Sequence, residues 1–129
     1  MAAVTRYNAK ECSVEIDGVY ITQYAEDMVE CSKDEDLYEA ETGAQGDVIV
    51  SEKNDSLGTI KVTVQATCPQ KGFLTGLQHK EVPIWVNVTG LNETIGGSKA
   101  RLKKPPTIKR GATADALEYE FGVFDYTQK

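Results

Sequence analysis

Between Gly58 and Thr67 the chain alternates strictly. Ile60, Val62, Val64 and Ala66 fall at one parity; Thr59, Lys61, Thr63, Gln65 and Thr67 fall at the other. A period of two marks a strand with one buried and one wet face. In 13–17, Val14 and Ile16 share a face opposite Ser13, Glu15 and Asp17. In 82–89, Val82, Ile84, Val86 and Val88 line up together. Residues 118–127 set Tyr119, Phe121 and Val123 against Glu118 and Glu120. Asp17-Gly18 is a hairpin signal with 19–24 as the return strand, and 47–52 is a β-branched run. These segments predict half-buried antiparallel sheets.

One segment changes period. In 68–80, Phe73, Leu74 and Leu77 recur at helical spacing, Pro69 sits where a first-turn proline is tolerated, and Thr67 or Cys68 is the expected cap. Gly72 and Gly76 each cost about 1 kcal/mol relative to alanine, so this helix needs packing to persist. The expected assembly is a mainly β fold, a β-sandwich or barrel with one flanking short α-helix.

Two segments do not read as core. Residues 25–47 hold nine acidic side chains and one lysine, with Met28, Val29, Leu37 and Tyr38 as the only large apolar groups. They form a long inter-strand loop on this reading, one expected to be mobile and dispensable for folding. Residues 95–111 open with Gly96-Gly97 and are divided by Pro105-Pro106, which favours an extended form. Their basic residues are Lys99, Arg101, Lys103, Lys104, Lys109 and Arg110.

Charge sharpens this contrast. The chain of 129 residues has a formal net charge of −6. With the six basic residues of 98–111 set aside, 8 basic side chains stand against 20 acidic ones. One domain spanning 1–129 is expected, with enough apolar content for a core. No apolar run is long enough to span a membrane, and the N-terminus lacks the apolar stretch of a signal peptide, so assembly in a cytoplasm is the default expectation. Cys12, Cys31 and Cys68 match no zinc spacing; reduced thiols are the plain reading, and an odd number leaves a bond between chains open.

A search for chemistry finds little. His79 is the sole histidine and has no nucleophile partner in a recognised spacing. The acidic run 34–36 lacks the glycine and glutamate of a calcium loop, and Gly96-Gly97 lacks a phosphate-loop lysine spacing. Asn54, Asn87 and Asn92 begin glycosylation sequons, read as chance matches without a secretion signal. No enzyme, metal or cofactor is expected. The basic stretch suits phosphate by charge, but it contains no aromatic platform and sits on an acidic body. Opposite charges at different edges of one chain attract identical copies head to tail.

The runs YNAKECSVEIDGVYITQYAEDM (7–28), GDVIVSEKNDSLGTIKVTVQATCPQ (46–70), ARLKKPPTIKRGA (100–112) and EYEFGVFDY (118–126) resemble the tail tube proteins of long-tailed, contractile bacteriophages. The resemblance extends from Tyr7 to Tyr126. It implies a β-sandwich or split barrel forming hexameric rings that stack into a hollow tube, which conducts DNA into the host without binding it. Implied partners are further copies of the chain, the tail sheath, the baseplate and the tape-measure protein. The implied location is the virion tail, assembled in the host cytoplasm. A ring-forming tube of a contractile injection or secretion system is the alternative, and a small nucleic-acid-binding module is the lesser one.

In the tube reading, 25–47 is the loop that reaches a neighbouring subunit. Glu26, Asp27, Glu30, Asp34, Glu35, Asp36, Glu39 and Glu41 are then interface residues, facing the basic segment of another copy. An inter-subunit disulfide is expected at Cys31, with Cys12 and Cys68 as the other candidates. An acidic lumen would repel duplex DNA from the wall, and Lys61 is the cation at odds with it.

Overall fold

The computed structural model describes residues 3–129. Ten strands and one helix follow in the order β1 (Cys12–Ile16), β2 (Val19–Tyr20), β3 (Tyr24–Lys33), β4 (Tyr38–Thr42), β5 (Val48–Glu52), β6 (Gly58–Val64), α1 (Lys71–Thr75), β7 (Glu81–Val88), β8 (Glu93–Leu102), β9 (Leu117–Val123) and β10 (Thr127–Gln128). The main sheet runs β2-β1-β7-β8-β9-β6-β3, with β10 added on β8. All pairings are antiparallel. β4 and β5 form a separate two-stranded sheet.

The main sheet curls over one core and does not close. Val14 and Ile16 of β1, Ile84 and Val86 of β7, Ile60 and Val62 of β6, and Tyr119 and Phe121 of β9 belong to one buried cluster. Each such side chain contributes about 1.5–3 kcal/mol by leaving water. At the open seam, Val14 N donates to Tyr24 Oη at 3.0 Å, joining β1 to the start of β3. The fold is the expected sandwich or split barrel, mainly β with one short helix.

The strands legible from alternation are all present. Asp17 and Gly18 have φ of 51° and 81°, the left-handed pair that a two-residue hairpin demands, and Ile16 pairs Val19 across them. The helix is shorter than 68–80. It spans Lys71–Thr75, with Gln70 at its N-cap and no side-chain capping bond. His79 has φ 65°, which a continuing helix forbids, so the predicted C-terminal half is turn. The helix still packs as expected: Leu74 and Leu77 are buried, and Tyr119 Oη bonds Thr75 Oγ1 at 3.0 Å.

Three expectations need correction. Residues 25–47 are not one loop: 25–33 lie in β3 against β6, and 38–42 form β4. Val29 and Cys31 of β3 pack on the core, and the chain is free of it from 34 to 57. Residues 95–102 are not a peripheral extended segment either; they are core strand, with Ile95, Ala100 and Leu102 buried. The return strand 19–24 stops at Tyr20.

Gly96 is fixed by backbone rather than by side-chain packing. Its φ is +146°, and a Cβ there would run into the Ile84 carbonyl of β7. Gly96→Ala is expected to cost about 2–3 kcal/mol through strain and a forced shift of β7. A denaturant midpoint equal to that of the unaltered chain would contradict this.

Candidate functional site

The most exposed ordered feature is the β4–β5 arm. Its register pairs Tyr38 with Glu52, Ala40 with Val50, and Thr42 with Val48. Directly paired residues share a face. One face therefore carries Tyr38, Ala40, Thr42, Val48 and Val50, closed by Glu52. The other carries Glu39 and Glu41 opposite Ser51 and Ile49. Every residue of both strands is exposed, with Val48 58%, Ile49 68% and Val50 51% accessible. The β-branched run Val48-Ile49-Val50 favours the strand conformation; among the described residues nothing covers the hairpin.

The predicted acidic residues scatter over four settings, Glu39 and Glu41 being on the arm. Glu26 and Asp27 lie in a bulge of β3, where the register shifts between Tyr24 and Val29. Glu30 sits opposite Lys61 of β6, and Lys61 sits opposite Glu120 of β9. Lys103 follows just beyond the end of β8, with Nζ 3.2 Å from Glu120 Oε1. Glu30, Lys61, Glu120 and Lys103 thus form a row of alternating charge across the outer face of the sheet. The cation Lys61 is flanked by carboxylates, so this face is charge-balanced rather than uniformly acidic. Asp34 accepts from Thr59 Oγ1 at 2.6 Å, Glu35 lies 3.8 Å from Lys53 Nζ, and Asp36 is in the turn leading to the arm.

The predicted basic residues divide in two. Lys99 and Arg101 point outward from β8. Lys103 is held by Glu120 and by Thr59 Oγ1 at 3.1 Å. Lys104, Lys109 and Arg110 lie on the long β8–β9 loop, 103–116, where Ile108 is 68% exposed. Arg110 Nη1 donates to the carbonyls of Lys109 and Asp115, and Arg110 bridges to Ala114. Acidic and basic segments meet inside the chain at one point, the buried Thr59 hydroxyl that joins Lys103 to Asp34. Among the described residues, Lys104, Lys109, Glu39 and Glu41 make no ion pair.

The cysteines do not share one environment. Cys12 is 7% and Cys68 1% accessible, and Cys68 Sγ donates to the Thr22 carbonyl. Both thiols are buried within the single chain. Cys31 is half-buried, and burial first, then Cys12, Glu30 and Glu93, pushes its thiol up to about 12. A thiol so raised is a poor nucleophile at neutral pH. Alkylation of Cys31 in the folded chain is expected to run at least tenfold slower than in urea, read by mass spectrometry. Equal rates would contradict the buried setting.

Residues that sequence reasoning missed hold these surfaces in place. Asp125 accepts from Ser98 N at 3.0 Å, from Lys99 N at 2.9 Å and from Ser98 Oγ. The Ser98 hydroxyl, then the Ser98 and Lys99 amides, hold its carboxyl below its usual value of 3.8, against a smaller opposing effect of burial. A depressed carboxyl contributes stability that is full above its unfolded pKa and lost as pH falls through the folded one. Asp125→Asn is therefore expected to shallow the loss of stability below about pH 4, with Asp55, held low beside Lys33, supplying the remainder. An unchanged acid limb in denaturation curves would contradict the assignment.

No family model matches this chain, and no curated protein matches it. Solved structures do. A chain of the sheath/tube terminator of an extracellular contractile injection system, PVC, in its extended state aligns with TM-score 0.66 at 10% identity, covering 99% of both chains. A chain of the PVC sheath-tube complex aligns at 0.64 and 11% identity, covering 96% of this chain and 91% of that one. A chain of the anti-feeding prophage cap, which terminates the tube, aligns at 0.61 and 10% identity, covering 100% and 94%. Over essentially its whole length, this chain has a fold found in tail-like contractile injection particles.

Proposed function

We propose that this chain is a structural subunit of a contractile tail-type particle, forming six-membered rings that stack as the inner tube. The single observation that carries this reading is the β4–β5 arm. A lone two-stranded hairpin is marginal in water, and this one exposes Tyr38, Val48 and Val50 on one face. Such a face is stabilised by a partner, and full-length likeness to chains of tube-containing assemblies supports another copy as that partner. Rings also dispose of the unpaired outer edge of β3, which otherwise invites uncontrolled strand pairing.

In this reading the role is mechanical and not enzymatic. A sheath surrounds the tube, and baseplate and tape-measure proteins set its start and length. The tail particle is its location, with assembly in the producing cell's cytoplasm. The alternating charges of Glu30, Lys61, Glu120 and Lys103 suit a lumen that grips neither DNA nor protein cargo. A second reading, a single terminating ring at the tube's end, is favoured by the terminator and cap structures among the matches.

Negative-stain electron microscopy across a concentration series tests both. Stacked rings or hollow tubes are expected of a tube subunit, and isolated rings of a terminator. Monomers at every concentration would contradict both. Val48→Ser with Val50→Ser is expected to leave the monomer folded, by circular dichroism, and to abolish stacking. Normal tubes from that variant would sever the arm from assembly.

A further inference from the structure

We propose that the acidic face of the arm in one copy seats on the β8–β9 loop of another, with Ile49 meeting Ile108 inside a surround of opposite charges. This rests on the reading that copies of the chain assemble. It names the two surfaces that meet.

The argument begins with what remains after internal pairing. Lys103 is neutralised by Glu120, Lys33 by Asp55, and Lys53 lies beside Glu35. On the arm this leaves Glu39 and Glu41 unmatched, on the same face as Ile49. On the loop it leaves Lys104, Lys109 and Arg110, which flank Ile108 along the chain, with no ion pair among the described residues. Ile49 and Ile108 are each 68% exposed. Each patch therefore combines an exposed isoleucine with unpaired charges of one sign, and the two signs are opposite.

The two patches are also preformed. The arm is a fully paired antiparallel hairpin. The loop is stiffened by Pro105-Pro106 and by the Arg110–Ala114 bridge, with Arg110 folded onto the carbonyls of Lys109 and Asp115. A preformed loop loses little entropy on docking. The contact joins two different surfaces, so it propagates from copy to copy rather than closing a pair. Phosphate is the weaker occupant for the loop. Residues 98–111 offer no aromatic ring for a base, and an exposed isoleucine flanked along the chain by the cations matches apolar protein surface instead.

Carbodiimide coupling of carboxylate to amine in an equal mixture of light and heavy isotope-labelled chains tests this directly. Mixed-isotope peptides joining Glu39 or Glu41 to Lys104 or Lys109 are expected, and high salt should reduce them. Glu39→Lys with Glu41→Lys is expected to weaken self-association at least tenfold, as is Lys104→Glu with Lys109→Glu and Arg110→Glu. The chain carrying all five reversals should regain association. Rings that form without these linked peptides, and that survive either reversal, overturn the inference and leave the ring reading standing. Linked peptides in open oligomers that never form rings support the contact and sink the ring reading. Duplex DNA binding that the loop reversal abolishes, with no linked peptides, overturns the inference in favour of a polyanion partner.

Discussion

A two-stranded hairpin has two faces and no interior. That constraint governs the β4–β5 arm, whose valines and tyrosine stay in water in the single chain. Its backbone bonds are made within the hairpin, and its base is fixed by Lys53 N to Leu37 O at 2.9 Å. The arm is thus built but unfinished. Hydrophobic burial, the dominant favourable term in folding, has nothing to act on there until a second molecule arrives.

The rest of the molecule is arranged so that this arm leaves the body at a fixed place. β3 is locked to β6 along its second half, and Thr59 Oγ1 holds Asp34 just beyond its end. Lys33 reaches Asp55 at 2.9 Å, tying the outgoing and returning chains together at the root of the arm. Tyr24 closes the far end of β3 onto β1, and α1 is pinned through Tyr119 and through Gln70 Oε1, which accepts from both Thr22 N and Thr22 Oγ1. The Asp125 clamp holds the chain after β9 against β8, the strand that leads into the basic loop. Arm and loop therefore sit at opposite ends of one continuous set of hydrogen-bonded strands, and the likeness to injection-system chains extends over that whole frame.

The sequence carried the strands whose inward residues are bulky. β6, β7 and β9 alternate with Ile, Val, Tyr and Phe, and the Asp17-Gly18 turn has a chemistry that its geometry favours. β3 and β8 were obscured for opposite reasons. In β3, Tyr24, Met28, Val29 and Cys31 pack on the core without regular alternation, and Glu26, Asp27 and Glu30 lie among them, so the strand reads as a charged loop. In β8, Gly96, Gly97 and Ala100 occupy buried sites because close approach of β7 and Asp125 leaves no room for larger groups. Low apolar content marks steric closeness there, not exposure. The acidic and basic residues were legible as surfaces, but their division into internally paired and free groups depends on long-range register. Thr59, Tyr24 and Asp125 act through partners at least ten residues away, a relation that local pattern does not encode.

The central claim is that a second copy of this chain completes the arm. Hydrogen exchange by mass spectrometry, comparing dilute monomer with concentrated or assembled protein, tests it most directly. The account predicts that amides of 38–52 exchange rapidly in the monomer and become protected on assembly, while those of β6, β7 and β9 are protected in both. Assembly that leaves 38–52 as unprotected as in the monomer would contradict it.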